Sequence, residues 1–86
     1  VSNPRKTAAM DVRRVDHEVL VHDAAHGRVH VLNGTAGNVL DLCDGMHSAS
    51  QIAHALSTAS GADLSRVRQD VDAILNEFTL LDLLVP

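Results

Sequence analysis

Apolar and polar positions alternate over two short stretches and then change to helical spacing. Residues 17–23 (HEVLVHD) are rich in valine and leucine and read as a strand. Residues 28–32, Arg28, Val29, His30, Val31 and Leu32, read as its return strand. Between them Ala24, Ala25, His26 and Gly27 form a turn in which Gly27 suits a positive φ. A four-residue turn sets Asp23 opposite Arg28, Val21 opposite His30 and Val19 opposite Leu32. Val19, Val21 and Leu32 then share one face, and Leu20 and Val31 the other. Asp23 and Arg28 are expected to form a cross-strand charge pair, worth about 0.2–1 kcal/mol. Residues 12–15 predict a short edge strand before this hairpin. Residues 1–11 lack periodicity and carry a proline and basic residues. They are expected to be a flexible basic tail, with residues 12–86 forming the domain.

After Leu32 the period lengthens. Asn33 is a good N-cap, with Thr35 as the alternative, and Asn33-Gly34 is the corner between strand and helix. Ala36, Val39, Leu40 and Cys43 form one helical stripe, and Asp44-Gly45 is expected to end it with Gly45 as the left-handed C′ residue. Ser48-x-x-Gln51 fits a capping box, followed by the stripe Ile52, Ala53, Leu56 and Ala59 and a stop at Gly61. Asp63 caps the longest helix, expected over residues 64–79, whose apolar side is Val67, Val71, Ile74, Leu75 and Phe78. Residues 80–86 (LLDLLVP) read as an extended tail packed back on the core. The expected fold is α+β and winged-helix-like: two or three antiparallel strands followed by three helices.

Composition narrows what such a fold can do. The apolar fraction is 45%, enough for one core, and Phe78 is the only aromatic residue, so that core is aliphatic. Four of the seven basic residues lie in the first fourteen positions. From Val15 onward three arginines (Arg28, Arg66 and Arg68) face ten acids, a balance of about −7. Duplex binding needs clustered lysine and arginine, and the second helix, where a reading helix would sit, has neither. A DNA-binding winged-helix regulator is therefore the rival reading, disfavoured by charge. The single cysteine rules out an internal disulfide, and no apolar run approaches a membrane span, so the expectation is a cytoplasmic protein without a membrane partner.

Catalytic signatures are lacking. Six histidines suggest a metal, but His22 and His30 fall on opposite faces of the hairpin, and no His-x-x-x-His pair lies within one helix. Cys43 sits on an apolar stripe beside Asp41 and Asp44, which suits a buried thiol rather than a nucleophile. Gly34-x-x-Gly37 has neither the phosphate-loop glycines nor a following lysine. No metal, no cofactor and no enzymatic activity are expected.

The chain resembles the PqqD family, small peptide chaperones also called recognition elements of ribosomally synthesised and post-translationally modified peptides (RiPPs). The resemblance rests on Val19-Leu20-Val21, on residues 27–33 (GRVHVLN), and on Thr35-Ala36, Val39-Leu40 and residues 42–45 (LCDG). It continues through Ile52-Ala53, Asp70-Val71 and Leu75, covering about residues 15–84. One departure is the end of the third helix, where many relatives carry a glycine before the last apolar residues. The resemblance implies a winged-helix-like fold with an N-terminal three-stranded antiparallel sheet followed by three helices, and a leader-peptide-binding protein of natural product biosynthesis. The leader of a precursor peptide adds as a strand to the sheet edge, and the core peptide is presented to a RiPP-modifying enzyme such as a radical SAM enzyme or a leader peptidase. Carried onto this chain, the edge is Arg28, Val29, His30, Val31 and Leu32. The groove wall is Val67, Arg68, Val71, Ile74 and Leu75. The physics of a free strand edge, a template of unpaired backbone groups, agrees with that assignment.

Overall fold

The computed structural model describes residues 3–85. Three strands, β1 (Met10–Val15), β2 (Glu18–Asp23) and β3 (Arg28–Asn33), form an antiparallel sheet in that order. Three helices come next: α1 (Gly34–Asp41), α2 (Ala49–Ser60) and α3 (Leu64–Leu80). The hairpin register is the expected one, with Val19 opposite Leu32, Val21 opposite His30 and Asp23 opposite Arg28. β1 pairs with β2 through Asp16 and His17, Asp16 taking a positive φ of 55° that suits a tight two-residue turn.

The inner face of the sheet and the helices share one aliphatic core around Phe78. Val19, Val21, Leu32, Val39, Leu40, Ile52, Val71 and Leu83 are buried in it. α1 crosses the hairpin closely because residue 37 is glycine: a Cβ there would lie 3.1 Å from Val19 Cβ. Arg14 on β1 holds the other end of α1, bonding Asp41 and Asn38. The caps are those read from the sequence. Asn33 Oδ1 accepts from Ala36 N, Ser48 and Gln51 exchange both bonds of the capping box, and Asp63 accepts from Arg66 N.

Three expectations change. The segment expected to be a flexible tail is tied down on both sides: Lys6 N donates to Cys43 O, Gly45 N to Pro4 O, Thr7 N to Leu83 O and Val85 N to Arg5 O. Residues 4–7 thus run as an extended strap between residues 43–45 and 83–85, and β1 already begins at Met10; Val1 and Ser2 lie outside the described residues. Secondly, α1 ends at Asp41, not at Gly45. The turn tightens through i→i−3 bonds from Leu42 and Cys43, because the backbone of residues 43–45 is engaged by the strap. Gly45 does take a positive φ (81°), but in the turn that leads to α2. Thirdly, Asp23 does not pair with Arg28. Its carboxylate accepts from the backbone N–H and Nδ1 of His26, three residues on, and is buried in that turn.

α3 ends in a left-handed turn that contains no glycine. Asp82 takes the left-handed position (φ 59°), with Asp82 N donating to Thr79 O and Leu83 N to Phe78 O. This is a Schellman closure with aspartate at C′, and it turns Leu83 into the core. The extended tail therefore does pack back, through residues 83–85; Pro86 lies outside the described residues.

Candidate functional site

β3 has a sheet neighbour on one side only. Among the described residues, no backbone hydrogen bond joins residues 28–32 to the strap, a loop or a turn outside the sheet. Val29 and Val31 point to the outer face and are 64% and 58% exposed. β-branched side chains set to solvent on an unpaired strand are what a strand-adding partner would cover. On the inner face Leu32 is buried, His30 is half-buried and Arg28 is exposed. His30 Nε2 is shielded from solvent and has no hydrogen-bond partner among the described residues.

The five α3 residues expected to form the opposite wall lie on two flanks. Val71 is buried in the core, and Val67, Ile74 and Leu75 are half-buried against it. Val67 and Val71 line a cavity of about 610 Å³ closed by Thr35 and Asn38 of α1 and by Leu56 of α2. Arg68 and Leu75 instead line a wider concavity of about 860 Å³ on the other flank of α3, beside the N-terminal strap. Ile74 lines neither. The structure therefore brings Val67 and Val71 together with Thr35 and Asn38 of α1, the helix that follows β3 through Asn33, while no β3 residue lines that cavity. Arg68 and Leu75 face away from that cavity. The sequence reading missed Thr35, Asn38 and Leu56 as lining residues. Helical geometry at 100° per residue already separates Arg66 and Asp70 from Arg68 and Leu75, but only the packing of α2 and α1 shows which flank meets α1.

Charge is placed unevenly around these surfaces. Arg68 Nε bonds Asp72 at 2.9 Å, whereas Arg28 and Arg66 make no ion pair among the described residues. Burial alone would push the Asp23 carboxyl up, but the hydrogen bonds from His26 outweigh it and hold the group below its usual range. Asp44 is likewise lowered, by the backbone N–H of Met46 and then by His47. Cys43 is fully buried, its thiol donates to Val39 O at 3.2 Å, and burial pushes its pKa up to about 11. That is the chemistry of a packing residue rather than a nucleophile.

Comparison with known proteins gives a consistent answer. Residues 10–84 match the family described as coenzyme PQQ synthesis protein D (PqqD). The chain belongs to the PqqD family. No curated protein matches the sequence. Among solved structures, a lasso peptide synthetase B1 complexed with the leader peptide superposes with a TM-score of 0.82 at 19% identity, over 98% of this chain and 99% of that one. TbiB1 in complex with the TbiA(beta) leader peptide gives 0.80 at 19%, over 93% of each chain. The PqqD truncation of Methylobacterium extorquens PqqCD, a stand-alone RiPP recognition element, gives 0.80 at 25% identity, over 96% of this chain and 88% of that one. The sheet-then-helices architecture is thus the PqqD fold, and among the described residues no helix is long and apolar enough to cross a membrane.

Proposed function

We propose that this protein binds the leader segment of a ribosomally synthesised precursor peptide by strand addition to the open edge of β3. It then presents the core segment to a partner modifying enzyme, itself taking no chemical part. The observation that carries the proposal is the free β3 edge with exposed Val29 and Val31. This edge belongs to a fold that two solved relatives share while holding leader peptides. Backbone hydrogen bonds along an edge supply affinity with little sequence demand, and flanking pockets supply selectivity.

In this proposal Arg28, Val29, His30, Val31 and Leu32 form the pairing strand. Val67 and Val71 receive the part of the peptide that runs past Asn33 into the 610 Å³ cavity. Arg68 and Leu75 would join only if the peptide wrapped around α3. The enzyme served is a RiPP-modifying one, of the radical SAM or leader peptidase class. The balance of three arginines against ten acids from Val15 onward supports a peptide ligand over a nucleic acid.

Titration of the fluorescently labelled cognate leader should give saturable binding. Val31→Pro, which removes one donor from β3, should weaken it at least tenfold while circular dichroism shows an unchanged fold. Absence of saturable binding by the cognate leader overturns the proposal, as does tight, salt-sensitive binding of duplex DNA in its place.

A further inference from the structure

The inner face of β3 carries two side chains whose polar groups are not satisfied within the described protein. His30 Nε2 is buried and has no partner. A buried ring nitrogen left without a hydrogen bond is destabilising, and native proteins keep few of them. Arg28, two residues earlier and so on the same face, is exposed. Its cross-strand neighbour is Asp23, whose carboxylate is taken up by His26 at 2.8 Å. That cross-strand acid is therefore committed elsewhere.

Strand addition to β3 places a partner residue directly opposite each of these positions, with its side chain on the same face. Resting on the strand-addition reading above, we infer that His30 and Arg28 select the paired peptide segment. It carries a hydroxyl side chain (Ser, Thr or Tyr) opposite His30 and an acidic side chain opposite Arg28. In antiparallel pairing this reads hydroxyl-x-acid from the N-terminal side.

A hydroxyl is the group that suits His30 in either neutral tautomer. It donates to Nε2 when the ring proton is on Nδ1 and accepts from Nε2–H when it is not. A carboxylate serves only the second case and an ammonium only the first. His30 is half-exposed, so a turn of its ring brings the shielded nitrogen to the added strand, and a hydroxyl satisfies it there without an ionised group entering a dry site. At Arg28 the situation is reversed: an exposed guanidinium with no ion pair favours a carboxylate, and its fork geometry can hold one with two bonds. The intervening peptide residue turns to the outer face, where it lies opposite Val29, so a β-branched residue fits there.

The test uses a display library of random dodecapeptides selected against the full chain and against two variants, His30→Leu and Arg28→Gln. The wild-type protein is expected to enrich Ser, Thr or Tyr two positions before Asp or Glu at least threefold over the library. His30→Leu should lose the hydroxyl enrichment and keep the acid, and Arg28→Gln the reverse. A synthetic peptide from the enriched set, with Thr replaced by Val, should bind the wild type roughly tenfold more weakly. It should bind His30→Leu less than twofold more weakly, which isolates the pair. His30→Leu should melt no lower than the wild type, since it exchanges an unpaired polar group for an apolar one of similar size. Enriched peptides with no hydroxyl preference, or with one that persists in His30→Leu, overturn the inference and leave strand addition standing. A library that yields no enriched peptide overturns both.

Discussion

The approach of α1 to β2 at Gly37 can be tested by adding one methyl group. On an exposed helix, Gly→Ala stabilises by about 1 kcal/mol. At Gly37 the new Cβ would lie 3.1 Å from Val19 Cβ and inside contact distance of Val19 Cγ2. Val19 is 1% exposed, stiff at χ1 because it is β-branched, and enclosed by the core, so it cannot swing aside. Overpacking of this kind costs about 1–3 kcal/mol. A clash with an immobile buried side chain belongs to the upper part of that range, about 2–3 kcal/mol, so a net loss of about 1–2 kcal/mol is left after the propensity gain. For a domain of this size each kcal/mol moves Tm by about 4–8 °C, so Gly37→Ala should melt about 5–15 °C lower than the parent protein. Urea unfolding should show a lower midpoint at an unchanged m-value. Val19→Ala makes room for the methyl group, and the double variant should be more stable than the sum of the two single losses by at least about 1 kcal/mol. Equal or raised stability of Gly37→Ala, or strict additivity in the double variant, would refute the packing argument.

Other residues make comparably specific predictions. Deleting everything before Ala8 removes the strap and its four backbone bonds to residues 43–45 and 83–85, and should lower unfolding free energy by about 2–4 kcal/mol in denaturant titration. Cys43, with its thiol raised to about 11, should resist a thiol-specific disulfide reagent at pH 8 in the native protein and react fully once unfolded. Asp23 and Asp44 are held below their unfolded carboxyl values. Their contribution is fully present above about pH 4 and is lost as pH falls through the lower native values. Asp23→Asn should therefore flatten the acid limb of a stability–pH curve. Ser48→Ala breaks the α2 capping box and should cost about 1 kcal/mol, read as a fall in Tm of about 4–8 °C.

Much of this molecule is legible in its sequence because the signals are local. The hairpin register comes from a four-residue turn and the alternation on either side of it. All three helix starts come from Asn33, Ser48 and Asp63, whose side chains cap within three residues. The features that escape are non-local or decided by competition. The strap uses backbone groups of residues 4–7 and finds partners about forty and eighty positions away, so no side-chain pattern marks it. That same strap cuts α1 short, and Gly45 reads as a helix stop because its positive φ is real but serves another turn. Asp23 has two possible partners. His26, with two donors in the same turn, prevails over Arg28 across the strand. At the end of α3 an aspartate, Asp82, fills a left-handed position of the kind glycine most often takes. The strand that carries the β3 half of the candidate site can be read from alternation, and its choice as the pairing edge comes from the family resemblance. The α3 half cannot, because the flank that forms a cavity is set by where α1 and α2 pack.

The strap has a further geometric consequence. Val85 N lies 2.7 Å from Arg5 O, so the two ends of the domain leave it side by side. A polypeptide continuing in either direction would start from the same point, at the same distance from β3. A modifying enzyme tethered before or after this domain would see the bound peptide at a similar effective concentration. The same closeness makes circular permutation practicable: a short linker could join the ends, with new termini opened at the exposed turn around Gly27. Such a permutant would keep β3 and the helices in place while moving the attachment point to the hairpin tip, turning tether position into a variable that can be set at will.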